Sequence, residues 1–223
     1  MNININMNMN MNKIPILYIN LEKRQDRRLN AEYQLTKLNA SNIQRFNALE
    51  LSNPALGCSM SHMKCLEIAK KNNYENVFIC EDDIDFLDPN LLIQNVNQFL
   101  SSDLRWNVLV VGGNNMLPYV PVNDYCIGIM NCQTTTGYIV NKNYYDTLIE
   151  NYKEGIQLLL KNPENPDYRI DKYWMKAQQK DKWYMIIPPT VAQIQDYSDI
   201  EKKVTNYRKY MLDYNKVMLP NKS

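Results

Sequence analysis

Short apolar runs alternate along this chain with longer stretches of helical periodicity, and that alternation restricts the fold more than any other feature. Residues 14–20 (Ile-Pro-Ile-Leu-Tyr-Ile-Asn) read as a strand, and residues 27–38 carry Leu29, Tyr33, Leu35 and Leu38 near helical spacing. A weaker strand at residues 43–46 precedes Asn53-Pro54 and Gly57, after which Ser59 is placed to cap a helix bearing Met63, Leu66, Ile68 and Ala69. Strands follow at residues 77–80 and 106–111, the second ended by Gly112-Gly113, with a helix from Pro89 to Leu100 between them. Further strands are expected at residues 125–130, 134–140 and 183–187. Helices are expected at residues 144–152, 171–179 and 199–214. Such a pattern predicts an α/β fold, a mostly parallel sheet covered by helices on both faces, with ligands bound beyond the carboxyl ends of the strands.

Residues 1–12 alternate Asn with Met or Ile, a biased composition expected to form a low-complexity N-terminal tail outside a single domain of residues 13–223. The 223 residues carry 25 Lys+Arg against 24 Asp+Glu, a net charge of +1, so no basic field draws the chain to nucleic acid or a membrane surface. One histidine, His62, excludes His-rich metal sites and leaves carboxylates as the abundant chemistry. Five cysteines without a Cys-x-x-Cys pair argue against a disulfide framework and for a reducing compartment. No stretch approaches the roughly 20 apolar residues of a membrane span, and the N-terminus lacks a signal-peptide core. The expectation is a soluble, intracellular, cytoplasmic protein.

Glu81-Asp82-Asp83-Ile84-Asp85 follows directly on the strand at residues 77–80. Carboxylates gathered at a strand end repel one another unless a cation is present. Hard oxygen donors suit Mg²⁺ or Mn²⁺, ions commonly shared with substrate phosphates, so the implied ligand is a nucleotide or another diphosphate. An aspartyl phosphatase motif and an EF-hand loop both fail to match, the first for want of Asp-x-Asp followed by Thr or Val, the second for want of its central Gly and terminal Glu. A solvated acidic turn is the remaining alternative.

Five separated motifs, taken together, resemble glycosyltransferase family 25, the lipopolysaccharide and collagen hydroxylysine sugar transferases. They are residues 18–28 (Tyr-Ile-Asn-Leu-Glu-Lys-Arg-Gln-Asp-Arg-Arg), Gly57-Cys58-Ser59-Met60-Ser61-His62, Glu81-Asp82-Asp83, Thr136-Gly137-Tyr138-Ile139, and a closing block from Pro188-Pro189 through Gln193 to Ser198-Asp199-Ile200; Asp171 sits where the family has a late acid. The resemblance spans residues 14–200. It implies a GT-A fold with a Rossmann-like sheet, and inverting transfer of a hexose, galactose or glucose, from a UDP-sugar to a glycan or a collagen-like hydroxylysine with Mn²⁺. It further implies Asp83 as principal metal ligand with Glu81 or Asp85 second, and Asp82 facing the ribose or the donor sugar. Asn20 and the arginines lie beyond the first strand, where Arg24 or Arg28, of the three that include Arg27, is expected on the diphosphate. Ser61 and His62 either touch the nucleotide or fix the helix start. Gln193 or Asp196 stands where related enzymes have a late His on the metal. Asp171 is the candidate base, beside Tyr173 and Trp174, which pack on a sugar or belong to the core. Two alternatives stand beside a transferase: a catalytically silent GT-A-like nucleotide-binding module, and a nucleotide-sugar hydrolase.

Overall fold

The structure is a computed structural model that describes residues 10–217. Its elements, in order, are β1 (Ile16–Asn20), α1 (Gln25–Thr36), β2 (Ile43–Asn47), α2 (Pro54–Lys71), β3 (Asn76–Glu81), β4 (Ile84–Phe86), α3 (Pro89–Leu100) and β5 (Val108–Asn115). There follow β6 (Tyr119–Pro121), β7 (Cys126–Ile129), β8 (Cys132–Asn141), α4 (Tyr145–Lys161), α5 (Ile170–Tyr173) and α6 (Met175–Gln178). The chain closes with β9 (Trp183–Ile186), β10 (Val191–Gln193), β11 (Asp196–Ser198), β12 (Lys203–Thr205) and α7 (Arg208–Leu212).

Eight strands form one mixed sheet in the order β2-β1-β3-β8-β5-β9-β7-β6. The β1–β2, β1–β3 and β5–β9 ladders are parallel, while β7 and β8 run against the other six strands. Side chains alternate across the sheet as a pleated strand requires. Leu17, Ile19, Val77, Ile79, Val108, Val110, Tyr138 and Val140 face α2 and α4. Ile16, Tyr18, Phe78, Cys80, Leu109, Val111 and Ile139 face α1 and α3. Both faces are therefore covered, which explains the near-continuous apolar runs in the sequence.

Several local expectations are corrected. On α1, Leu29 and Tyr33 are 68% and 65% exposed, and the buried stripe is Ala31, Gln34 and Leu35. That stripe continues backward at i−4 to Arg27, so the face that packs on the sheet also aims Arg27 at the strand ends. Helix α2 starts at Pro54 and is capped by Asn53, whose side-chain oxygen accepts from Leu56 N at 3.2 Å; Ser59 lies inside it, donating to Ala55 O. Strand β5 does not stop at Gly112-Gly113 but runs to Asn115 through two register shifts. A Cβ on Gly112 would meet Val191 Cγ1 at 2.7 Å, so β10 can pass over β5 only at a glycine. The C-terminal helix expected at residues 199–214 is the hairpin β11–β12 followed by the five residues of α7, of which only Met211 is buried. Lys202, at φ 53°, makes the left-handed turn that a helix there would forbid. Of the expected tail, residues 1–9 lie outside the described residues, while Met11 is 2% exposed and its N–H donates to Asn97 Oδ1 at 2.8 Å. All five cysteines are free thiols. Among the described residues no helix is long and apolar enough to cross a membrane.

Candidate active site

The carboxyl ends of β1, β3 and β5 and the amino end of the reversed strand β8 surround a cleft of about 360 Å³, in the range of small-molecule sites. Asn20 ends β1 and is buried. Its Nδ2 donates to Asp82 Oδ2 at 2.8 Å and its Oδ1 accepts from Arg45 Nε at 2.9 Å, so β1 and the acidic turn are held in register by one amide. Arg27 Nε donates to Asp196 Oδ2 at 2.7 Å, its Nη1 to Asp82 Oδ1 at 3.2 Å, and Asp83 Oδ2 lies 3.6 Å from the same Nη1. Arg24 pairs with the same oxygen of Asp196.

Glu81 is braced from three sides. Its Oε1 accepts from Thr135 Oγ1 at 2.6 Å and from His62 Nε2 at 3.3 Å, and its Oε2 from Gln193 Nε2 at 3.2 Å. A carboxylate can only accept, so His62 carries its proton on Nε2. Nδ1 then accepts from Tyr138 OH at 2.8 Å, and Tyr138 accepts from Tyr152 OH at 3.2 Å. Burial alone would raise Glu81, but the His62 and Thr135 hydrogen bonds and the Arg27 charge hold it below its ordinary value. Burial and the neighbouring Glu81 charge push Asp83 well above its own, because two close buried acids cannot both ionise without a cation. Asp83 Oδ1 is buried and, among the described residues, has no hydrogen-bond partner.

Asp171, at the start of α5, lines the same cleft, and its Oδ2 accepts from Thr134 N at 3.3 Å. Burial raises it above the ordinary carboxylate range despite that N–H. Thr134 stands at φ 63°, a left-handed conformation that a β-branched residue resists. It is held there between Cys132, whose N–H and C=O are both taken by the Gln178 amide at 2.8 Å, and Thr135 on Glu81.

Residues 47–111 match the model of glycosyltransferase family 25 (LPS biosynthesis protein). Over that stretch the chain is similar to the family. Its fold is of the GT-A type. A crystal structure of a glycosyltransferase involved in glycosylating the major capsid of PBCV-1 aligns over 81% of this chain and 93% of that one, at 12% identity and a TM-score of 0.54. A Drosophila β1,4-galactosyltransferase 7 variant, solved with manganese, UDP-Gal and xylobiose, aligns over 93% of this chain and 82% of its own, at 9% identity and a TM-score of 0.46. No curated protein matches the sequence.

Arg24, Ser61, His62, Glu81, Asp82, Asp83 and Asp171 line the cleft, and Asn20 braces Asp82 from behind. Ser61 is spent on structure, donating to Gly57 O at 2.7 Å and accepting from Leu49 N at 2.9 Å. Besides Asn20, two expected residues do not line it. Arg28, one residue and about 100° around α1 from Arg27, pairs with Glu32 at 2.9 Å. Asp85 alternates with the buried Ile84 and Phe86 on β4, and its carboxylate is held by Gln34 Nε2 at 3.0 Å and by Arg208. Arg27 lines the cleft beside Arg24 and reaches Asp82, Asp83 and Asp196, and the helical stripe Arg27-Ala31-Gln34-Leu35 is the signal that places it there. Thr134 and Thr135 carry no comparable sequence signal, because the antiparallel course of β8 brings its amino end to the cleft.

Proposed function

We propose that this domain moves a hexose, galactose or glucose, from a UDP-sugar to a hydroxyl on a glycan or a hydroxylysine-like side chain, with Mn²⁺ or Mg²⁺ as cofactor. The single observation that carries the reading is Asp83 Oδ1, a buried acid oxygen without a partner among the described residues, in a cleft that also presents Arg24 and Arg27. A hard cation and a diphosphate complete that set chemically. Asp83 is the principal residue to hold the ion, with Glu81 beside it, and the ion when bound offsets the charge that develops on the leaving diphosphate.

The chain's own residues supply the remainder. Arg24 and Arg27 bind the diphosphate oxygens, exchanging the Asp196 carboxylate for phosphate. Asn20 and Arg27 fix Asp82 for the ribose or sugar hydroxyls. Asp171, raised by burial and facing the cleft, takes the acceptor hydroxyl proton as that oxygen bonds to the anomeric carbon and the bond to the diphosphate breaks.

A panel of nucleotide sugars with Mn²⁺ and Mg²⁺, scored by UDP release with and without a broad acceptor panel, tests this. Metal-dependent release that requires an acceptor supports transfer. Full-rate release of free sugar without acceptor identifies a hydrolase, and metal-dependent UDP binding without turnover of any donor identifies a silent binding module.

A further inference from the structure

Cys58 and His62 stand one turn apart on α2, and both face the Glu81 carboxylate at the end of β3. Among the described residues, ligand atoms of these three side chains lie within 4.8 Å of one another. His62 Nε2 is 3.3 Å and Cys58 Sγ 4.0 Å from the same oxygen, Glu81 Oε1. A tetrahedral ion with bonds of about 2.0–2.1 Å to nitrogen and oxygen holds those donors about 3.3 Å apart, and with sulfur at about 2.3 Å the sulfur-to-oxygen separation is about 3.6 Å. The nitrogen-to-oxygen separation already matches that geometry, and a short approach of Cys58 brings the sulfur into it.

The surroundings suit a ligand set as well. His62 Nδ1 faces the Tyr138 hydroxyl at 2.8 Å, the kind of outer partner that orients a ligating imidazole. Thr135 and Gln193 hold the Glu81 carboxylate. All three side chains line the cleft, which leaves a fourth coordination position open. A thiolate with an imidazole and a carboxylate selects Zn²⁺ over the hard ions that prefer oxygen alone.

We propose that Cys58, His62 and Glu81 form a second metal site, for Zn²⁺, on the cleft wall beside the acidic turn. It shares the Glu81 carboxylate with the hard-ion position at Asp83, approaching it from the Cys58 and His62 side, and does not rest on the sugar-transfer reading. Binding releases the Cys58 thiol proton to solvent. It replaces the His62 to Glu81 hydrogen bond with two bonds to the ion, and the imidazole proton moves to Nδ1, where the Tyr138 oxygen accepts it.

Cobalt(II) is the test ion. Added to the reduced, metal-free full chain, it should give a thiolate-to-cobalt charge-transfer band in the near ultraviolet that saturates at one equivalent and is displaced by Zn²⁺ but not by Mg²⁺. Cys58→Ser should lose the band and keep the native circular dichroism. A second readout needs no variant: Zn²⁺ should protect Cys58 of the native chain from iodoacetamide, located by peptide mass spectrometry, and a chelator should restore labelling. Absence of a thiolate band in the native chain, a band retained in Cys58→Ser, or Cys58 labelling indifferent to Zn²⁺ would each overturn the site.

Discussion

Arg27 and Asp196 are joined by a 2.7 Å bond from Nε to Oδ2, which ties α1 to a hairpin 169 residues further along the chain. The same guanidinium reaches Asp82 and Asp83, so one cation balances acids from two distant segments at the mouth of the sheet.

That pairing has a pH signature. Burial would raise Asp196, but the Arg27 and Arg24 guanidiniums and the Tyr197 N–H outweigh it and hold the carboxyl at about 2, below its ordinary 3.8. A group whose folded value is depressed stabilises the fold above its unfolded value and loses that contribution as the pH falls through the folded one. The hairpin is therefore expected to loosen between about pH 4 and 2. An NMR titration should place Asp196 near 2 in the native chain and closer to the ordinary value in Arg27→Gln. Amide exchange in residues 196–205 should quicken over the same window, before the sheet opens.

Asp83 carries the opposite sign. Its carboxyl is raised by burial and by Glu81, so the ionised form opposes folding once the pH exceeds the unfolded value, and at neutral pH the residue costs stability without a cation. Asp83→Asn is expected to raise Tm by a few degrees, at about 2–4 °C per kcal/mol for a chain this long. It is expected to lower turnover at least about a hundredfold, since a catalytic ion supplies several kcal/mol. Mn²⁺ should raise the Tm of the native chain and leave the variant's unchanged. Thermal melts with and without the ion, set beside UDP-release rates, check both halves.

The fold was legible where burial is two-sided. Residues 16–19, 77–80 and 108–111 are apolar on both faces because helices cover both, and such runs announce themselves. Strands of three residues did not: β4 and β10 pair only with each other, and Val191, Ala192, Ile84 and Phe86 owe their strand form to that contact. The acidic turn was legible because four acids after an apolar strand are electrostatically costly. Which of Arg24, Arg27 and Arg28 line the cleft was not, since that depends on helix phase, and Leu29 and Tyr33 gave an apolar stripe on the wrong side.

Gly57 fixes the approach of α2 to the segment after β2. A Cβ there would stand 2.3 Å from Leu49 O, a contact with backbone that no rotamer relieves. Gly57→Ala should cost about 1–3 kcal/mol, as overpacking does, or roughly 2–12 °C in Tm. Because Leu49 and Leu51 line the cleft, UDP binding should weaken as well. Calorimetry of UDP binding beside a thermal melt separates the two effects, and a variant with unaltered Tm would show that the helix shifts freely.

Asp171 is the residue proposed above as the base of the chemical step. Burial raises it and the Thr134 N–H only partly offsets that, so as a base it becomes competent only as the pH climbs above the ordinary carboxylate range. The rate at saturating donor and acceptor should therefore rise with pH through that raised value in the native chain. Asp171→Asn keeps the size and the hydrogen bond to Thr134 but cannot take a proton, and kcat should fall by about 10²–10⁴ while UDP affinity stays within about twofold. The acid limb of the pH profile should vanish in that variant. A limb that persists, or a loss confined to KM, would assign Asp171 to holding the Thr134 turn instead of to proton transfer.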